Sequence, residues 1–372
     1  MTPQVRREQV IGYRVRAQGL LRDGSSLGKL AVLDFGVQDS GDSARLAFDA
    51  RLRSTPSLTG IGPGEPIALA WTLRSAPHLH RRSDLDWLAA ALWPLSDADA
   101  LGRVDAGSTM KKAGMAGLAG FAAGAEAMRK VVTAPMGKGA ASTAVTAETP
   151  DTLHRYCRGC QATHVFELIF RMGSLPAGIE LDPGTSPPVL VPRAGAVVPT
   201  SADPEAVQRL IRAYVTLLGP ATPGDVAGYL GARRADLASV WPDDLVEVDV
   251  DGSAAWMPPE QLGALRKAKA PRLVRLLGAF DPYLQARDRS LIVPDKAVHK
   301  TLWPILGRPG VLFVDGEVVG TWRAKSGKSR LEITVDPFAP LPPPVRRDAE
   351  REAERVAAVR EAPDVRVRWT DA

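Results

Sequence analysis

Two histidines lie close together in the sequence and could take part in proton transfer. They are His78 and His80, within the segment 73–82. Residues two apart in an extended strand point to the same face, and neighbouring positive charge disfavours a protonated imidazole. Both rings are therefore expected to be neutral near pH 7 and able to accept a proton or orient a water molecule. The alternative is a basic hairpin whose histidines bond to the backbone. Three arginines surround the pair: Arg74, Arg81 and Arg82.

A second polar cluster, Gln38-Asp39-Ser40, lies between an apolar stretch and a predicted helix that carries Arg45. It brings an amide, a carboxylate and a hydroxyl to one exposed turn. Groups of these types can hold a water molecule, act as a base or stabilise a developing positive charge. The alternative, which stays equally open, is a structural turn in which Ser40 or Asp42 caps the helix.

A third cluster has the residue types of a metal site, with two histidines flanking a C-x-x-C pair. Structural zinc usually takes its ligands from two separated pairs, so closing a tetrahedron within eleven residues is difficult. No metal is therefore predicted. We expect a turn before a helix, with Arg155 and Arg158 facing phosphate and the two thiols buried as small apolar groups. The four residues are His154, Cys157, Cys160 and His164.

A dense polar motif occupies residues 280–289. Its arginines, Arg287 and Arg289, are expected to pair with Asp281 and Asp288 and so to fix the C-terminal module onto the preceding unit. Contact with a nucleic-acid backbone is the alternative. The sequence contains no P-loop, dinucleotide-binding glycine signature, nucleophile elbow or HExxH, which argues against the enzyme classes built on those motifs.

Residues 206–258 contain the most regular local signals. Thr222-Pro223 provides an N-cap and a first-turn proline, Gly231 ends that helix, and Arg233 and Arg234 begin the next one. An Asp251-Gly252 turn joins two strands. The predicted elements are helices at 206–218, 223–230 and 233–241 and strands at 245–250 and 254–257. Helix, helix, basic helix and hairpin is the order of a winged helix, a nucleic-acid-binding unit.

Two weaker versions of this unit are predicted in the first half of the chain, so the fold class is α+β with three tandem winged helices and a small antiparallel β-domain. Lys111 and Lys112 are expected to lie in a mobile basic linker, and the C-terminal segment to form an exposed, salt-bridged helix. The predicted divisions are winged helix 1 at 1–100, the linker at 101–116, winged helix 2 at 117–200, winged helix 3 at 201–270, the β-domain at 271–340, and a helix and tail at 341–372.

The composition is that of a basic globular protein. The chain has 372 residues, of which 45% are hydrophobic and 24% charged, and a net charge of +5, which favours a polyanionic partner. No apolar run has the length needed to span a bilayer, so no membrane partner is predicted. The first residues lack the features of a secretory signal, and two cysteines do not make a disulfide framework. A cytoplasmic location is predicted.

Several short motifs together resemble those of the AlkZ/YcaQ-like family of winged-helix DNA glycosylases, and the likeness covers nearly the whole chain. That family's catalytic signature is Gln, an apolar residue, then Gln or Asp. Gln38 matches the first position, whereas Asp39 and Ser40 occupy the other two, so the chain departs from the pattern. The motifs are Gly12-Tyr13-Arg14, Gly36-Val37-Gln38, the segment 73–80, Phe280-Asp281-Pro282 and Gly320-Thr321-Trp322-Arg323.

The resemblance implies a C-shaped arrangement of the three units and a monofunctional glycosylase that removes N-alkylated purines, including bulky or crosslinking adducts of a genotoxic natural product. Its expected partner is duplex DNA carrying such a lesion, bound by a monomer without a cofactor. A non-catalytic regulator or lesion sensor is the main alternative, and a metal-sensing regulator a third. The predicted catalytic residues are Gln38, Asp39, Ser40, His78 and His80. The predicted DNA-binding residues are Arg45, Arg74, Arg81, Arg82, Lys111, Lys112, Arg155, Arg158, Arg233, Arg234 and Arg287.

Overall fold

The computed structural model describes residues 2–56, 59–327 and 330–370. None of its described helices is long and apolar enough to cross a bilayer. The helices are α1 Arg7–Ala17, α2 Ser43–Asp49, α3 Leu85–Leu92, α4 Asp97–Arg103, α5 Gly107–Lys112, α6 Gly117–Val131, α7 Lys138–Glu148, α8 Glu167–Ser174, α9 Pro204–Leu217, α10 Pro223–Leu230, α11 Arg234–Ala238, α12 Leu262–Lys267, α13 Arg289–Ile292, α14 His299–Leu302 and α15 Pro343–Val359. The strands are β1 Gln4–Val5, β2 Val37–Gln38, β3 Ile67–Trp71, β4 Pro77–Arg81, β5 Met136–Gly137, β6 His154–Cys157, β7 Ala162–Val165, β8 Ile179–Asp182, β9 Val189–Pro192, β10 Val246–Val250, β11 Ser253–Met257, β12 Val274–Leu277, β13 Gly310–Val314, β14 Glu317–Ser326, β15 Leu331–Pro337 and β16 Val365–Trp369.

The segment 206–258 has the predicted element order. Thr222 caps α10: its hydroxyl accepts from the Asp225 N–H at 3.1 Å, and the Asp225 carboxylate accepts from the Thr222 N–H at 2.9 Å. Gly231 ends α10 in the left-handed region at φ 71°. Helix α11 is shorter than predicted, and β10 pairs with β11 across the predicted turn. Local capping and turn chemistry therefore decide this part of the fold.

The start of the chain packs with the third unit as well as with the residues that follow it, whereas the 1–100 division predicted only the second. Strand β1 pairs in parallel with β10, so the sheet order is β1-β10-β11. Val10 and Tyr13 of α1 are buried in one cluster with Val248 and Met257. The Tyr13 hydroxyl donates to the Thr216 carbonyl at 2.7 Å. The N-terminal helix thus closes the core of the unit at 201–270.

The predicted first and second units share one sheet, in the order β2-β4-β3-β8-β9-β5. The two halves meet where β3 pairs with β8, at Leu69 and Leu181, both of which are buried. Strand β7 ends at Val165, and α8 begins two residues later at Glu167. A joint sheet couples the two segments more firmly than a flexible linker would.

The predicted linker at 101–116 is wrong. Helices α4 and α5 occupy most of it, and Met110 is fully buried. A Cβ at Gly107 would lie 2.0 Å from the Leu101 carbonyl oxygen, so the two helices meet at backbone contact. Lys111 and Lys112 are exposed at the end of α5.

The C-terminal residues complete the β-domain and do not form a separate exposed tail. Strands β12 to β16 make one sheet in sequence order, with β15 and β16 parallel, so the sheet is not wholly antiparallel as predicted. Ala353, Val356 and Val359 of α15 are buried against it. Two charged contacts tie α15 to the N-terminal region: Arg22 with Glu352 at 2.6 Å and Arg355 with Asp49 at 2.7 Å.

Two buried ion pairs hold the segment 280–289. Arg51 pairs with Asp281 at 2.8 Å, with both side chains fully buried, and Arg14 pairs with Asp288 at 2.6 Å. The predicted pairing of these acids with Arg287 and Arg289 is wrong. The partners come instead from α1 and from the residues just after α2, so the two aspartates do not neutralise Arg287 and Arg289.

Asp281→Asn is expected to lower the free energy of unfolding by about 3–5 kcal/mol, because it leaves the Arg51 guanidinium buried without its counter-charge. Denaturant unfolding followed by circular dichroism measures the change. The matched control is Glu148→Gln, which removes the partner of Lys130 at a site where the two side chains are 36% and 66% exposed. It should change stability by less than about 1 kcal/mol. Equal effects of the two substitutions would contradict the role given to Asp281.

Candidate functional site

Strand pairing brings the two predicted catalytic clusters together. Strands β2 and β4 are antiparallel, and Gln38 lies directly opposite His78. Side chains of directly opposed residues share a face of the sheet and lie within contact distance. The sheet register thus places the Gln38 amide beside the His78 imidazole, although the two residues are 40 positions apart in the sequence.

The turn after β2 is fixed by its own hydrogen bonds. The Ser43 hydroxyl donates to the Gln38 carbonyl at 2.8 Å and accepts from the Ser40 N–H at 2.8 Å. The Gln38 amide donates to the Ser40 hydroxyl at 3.2 Å. Asp42 makes no side-chain cap to α2 and pairs with Arg360 instead, so the capping interpretation is wrong for Asp42. Ser40 therefore orients the Gln38 side chain.

Asp39 presents a carboxylate with an unusual protonation equilibrium. Its backbone N–H donates to the Pro77 carbonyl at 2.9 Å, which ties the turn to β4. Burial, assisted by the charge of Asp42, raises the pKa of Asp39 to about 6. Its carboxylate has no hydrogen-bond or ion-pair partner among residues 2–56, 59–327 and 330–370. A carboxylate of this kind is charged at neutral pH and available to a cation or a water molecule.

The two histidines have different environments. His78 Nδ1 lies 2.9 Å from the Ala76 carbonyl oxygen, so in the neutral ring Nδ1 carries the proton and Nε2 keeps its lone pair. Burial, His80 and Arg74 together hold the pKa of His78 well below its usual value. Within the described residues Nε2 has no hydrogen-bond partner. The low pKa keeps the His78 ring neutral, as the sequence predicted. Its main cause is burial and not the charge of the arginines.

His80 is buried and has a structural role, so its ring is not accessible as a base. Its Nε2 lies 3.1 Å from the Thr72 hydroxyl, and burial lowers the pKa of His80 to about 4. The ring covers Gly36, where a Cβ would lie 2.2 Å from His80 Cε1. Gly36 also has φ 89°, a conformation that favours glycine. His80 and Gly36 together hold the backbone that leads into Gln38.

Four arginines line the cavity that Gln38 faces, which has a volume of about 200 Å³. Nε of Arg287, Nε of Arg308 and Nε2 of Gln285 are buried without a hydrogen-bond partner in the described part of the chain. Burial and the neighbouring guanidinium groups lower the pKa of Arg308. Converging cations are stabilised by an anionic ligand, and guanidinium groups match phosphate geometry. The four residues are Arg74, Arg287, Arg289 and Arg308.

Aromatic side chains support these arginines. The Arg289 guanidinium lies 4.8 Å from the centre of the Trp303 ring, and that of Arg308 lies 5.0 Å from Phe280. A second cavity, of about 260 Å³, shares Phe280 and Arg308 with the first and is also lined by Ser40. The two cavities share these residues as a common wall between the β2 turn and the β-domain, and we call the pair the Gln38 cleft.

Arg308 was missed by sequence reasoning, because it lies in a loop with no motif around it. The other predicted DNA-binding residues fall into two groups. Arg45, Arg81 and Arg82 have acidic partners inside the protein, respectively Glu361, Asp34 and Glu180, so we leave them out of the proposed DNA surface. Exposed side chains remain at Lys111, Lys112, Arg155, Arg158, Arg233 and Arg234, and their contact with DNA stays a prediction. Two of these also have an acidic neighbour, Arg155 with Asp105 at 4.0 Å and Arg233 with Asp236 at 3.5 Å.

The Cys and His cluster forms a β-hairpin and not the predicted turn before a helix. Strands β6 and β7 pair from His154 with Val165 to Cys157 with Ala162. Cys157 is half-buried and Cys160 is exposed, so the prediction of two buried thiols is wrong.

Comparison with known proteins identifies the family. Residues 32–359 match the model described as DNA glycosylase AlkZ-like. The chain belongs to the AlkZ-like DNA glycosylase family. The matched range contains Gln38, Asp39, His78 and all four arginines of the Gln38 cleft. Membership in this family implies that the substrate is DNA.

A curated protein and a solved structure, both from Streptomyces sahachiroi, resemble this AlkZ-like chain. One, named "Interstrand DNA cross-link repair glycosylase", is 30% identical over 164 residues, which is 41% of this chain and 42% of that protein. The aligned segment thus spans less than half of the relative. The solved structure of "DNA glycosylase AlkZ" superposes with a TM-score of 0.76 and 19% identity, covering 99% of this chain and 100% of that one. The second likeness establishes a shared fold over the whole chain.

Arg287→Gln combined with Arg308→Gln is expected to weaken binding to duplex DNA and to reduce its salt dependence. The slope of log affinity against log salt should become shallower by about 0.9 for each phosphate that the variant no longer neutralises. Fluorescence anisotropy over a range of salt concentrations measures the slope. Arg347→Gln is the matched control, since this exposed arginine of α15 lies outside the cleft. An unchanged slope in the double variant would contradict a phosphate site at the cleft.

Proposed function

We propose that this AlkZ-like protein is a monofunctional DNA glycosylase that hydrolyses the N-glycosidic bond of N-alkylated purines. The observation that carries the proposal is the position of Gln38, which lines a cavity together with four arginines, precedes Asp39 in the chain and lies opposite His78 in the sheet. This arrangement offers opposite charges to the two ends of one nucleotide: arginines to its phosphates and Asp39 to its sugar. Three tandem winged helices in a C shape would hold the duplex against the cleft.

The chemistry needs little from an acid catalyst. Alkylation at N7 or N3 makes the purine cationic, so it leaves readily and takes the electrons of the C1′–N bond with it as a neutral base. A cationic sugar remains, and the Asp39 carboxylate stabilises it by charge. Water then forms the new O–C1′ bond and gives its proton to Asp39. The Gln38 amide and His78 Nε2 hold that water in place.

Bulky or crosslinking adducts are the substrates we favour. One support is the name of the Streptomyces relative, "Interstrand DNA cross-link repair glycosylase". The other is the size of the Gln38 cleft, whose two neighbouring cavities have volumes of about 260 Å³ and about 200 Å³. Protection of an organism against its own genotoxic product, a cytoplasmic location and a monomeric state remain predictions of the sequence. One feature favours a non-catalytic lesion sensor: Ser40 occupies the position where the family signature has Gln or Asp.

Release of free base from duplex DNA separates the two candidates. We expect wild type to release N7-alkylguanine, with adducts from methyl to intercalator size defining its preference. Gln38→Ala should lower the single-turnover rate about 10²- to 10³-fold, the effect of removing one group that stabilises the transition state, while DNA affinity stays within about twofold because binding is distributed over many phosphate groups. Arg347→Gln is the control for altered charge. No release from any adduct, with DNA binding intact, would favour the sensor.

The pH profile provides a separate test of Asp39. The carboxylate is charged above its pKa of about 6 and neutral below it, so kcat/KM should fall as pH drops through 6. Asp39→Asn should give a low rate without this inflection. A wild-type profile that stays flat from pH 8 to well below the pKa of about 6 would exclude Asp39 as the base.

A further inference from the structure

The β6–β7 hairpin brings two thiols and an imidazole to one point. Sγ of Cys157, Sγ of Cys160 and a ring nitrogen of His164 lie within 4.8 Å of one another. Cys157 and His164 share a face of the hairpin, because His164 is opposite Arg155 and residue 155 is two positions from Cys157. Cys160 reaches the same point from the turn.

The turn brings the two sulfur atoms together, because Cys157 ends β6 and Cys160 follows three residues later in the turn. Thiolate sulfur is a preferred ligand of zinc. Gln161 completes the turn with φ 51°, in the left-handed region, so the chain reverses directly after Cys160.

His164 supplies the independent observation that the cluster faces a ligand. Its Nε2 is buried and has no hydrogen-bond partner in the described residues. A buried ring nitrogen without a partner costs free energy unless a ligand uses its lone pair. A metal ion would accept a lone pair of this ring, one nitrogen of which lies within 4.8 Å of both sulfurs.

His154 is not part of the cluster, although its spacing in the sequence suggested four ligands. It lies opposite Val165, on the other face of the hairpin from His164. Its Nε2 lies 3.0 Å from the Thr149 hydroxyl, and its Nδ1 lies 3.4 Å from the Asp151 carboxylate. The structure therefore leaves three side-chain ligands, which removes the difficulty of closing a tetrahedron from four.

We propose that Cys157, Cys160 and His164 bind one zinc ion, with a solvent molecule in the fourth position. Thiolate and imidazole ligands in tetrahedral geometry favour Zn²⁺ over the hard cations Mg²⁺ and Ca²⁺. The ion cross-links the turn to β7 in a sheet of only two strands: in the described residues β6 and β7 pair only with each other, and a two-stranded hairpin gains little stability from its own strand pairing. The ion thereby holds Arg155, Tyr156 and Arg158, all exposed, in one orientation.

Metal analysis of the full chain purified under reducing conditions tests the proposal. We expect one zinc per chain by mass spectrometry of the metal content. Cobalt(II) in its place should show thiolate charge-transfer absorption and the strong visible bands of tetrahedral coordination. Cys157→Ser with Cys160→Ser should abolish binding, and His164→Asn should weaken it. His154→Asn is the matched control and should retain the metal.

Two results would overturn the proposal. One is a reduced wild-type chain that binds neither zinc nor cobalt when titrated at micromolar concentration, and the other is retention of metal in the double serine variant. Because the wild-type titration decides the first, the test does not depend on folding of a variant. Base release is not used as the readout, so failure here leaves the proposed glycosylase activity untouched.

Discussion

The fully buried ion pair between Arg51 and Asp281 determines where the Gln38 cleft can form. Arg51 follows α2, the helix that begins at the Gln38 turn, and Asp281 begins the segment that carries the cleft arginines. The Arg51 guanidinium also donates to the Gln18 side chain at 3.0 Å and to the Ala47 carbonyl at 2.7 Å. Removing two charges from water is costly unless geometry and hydrogen bonding are nearly complete. The pair therefore permits one arrangement of the two halves of the cleft.

A second pair fixes the far end of the same segment, where Arg14 binds Asp288 and the carbonyls of Gly219 and Pro220. Asp281 and Asp288 are paired with Arg51 and Arg14. Arg287 and Arg289 are therefore left to line the cavity that Gln38 faces. The converging guanidinium groups line the cleft together with Gln38, and the next residue of the chain is Asp39, whose pKa is raised by burial. Both features are unfavourable in the free protein. Both become favourable when a phosphodiester and a cationic sugar occupy the cleft, which is how an active site uses groups held in place before binding.

Local chemistry in the sequence predicted local structure well. The Thr222 cap, the Gly231 helix end and the Asp251-Gly252 turn each specify their own conformation within a few residues, and the structure follows them. The strand carrying His78 was also predicted, but its pairing with Gln38 depends on sheet register. Long-range pairing was not predictable: nothing near Gln4 indicates β10, and nothing near Asp281 indicates Arg51. Arg308 joins the cleft only through the folded chain, so its role needed the structure.

We propose that the Gln38 cleft acts by stabilising a cationic sugar. Its most direct test compares binding of the wild-type chain to two duplexes above pH 7, where Asp39 with its pKa of about 6 is charged. One duplex carries a cationic pyrrolidine at the lesion site and the other a neutral tetrahydrofuran. We predict that the cationic duplex binds about 100-fold more tightly, as an analogue of the transition state should, and that Asp39→Asn removes the difference. Equal affinity of wild type for the two duplexes would contradict the claim.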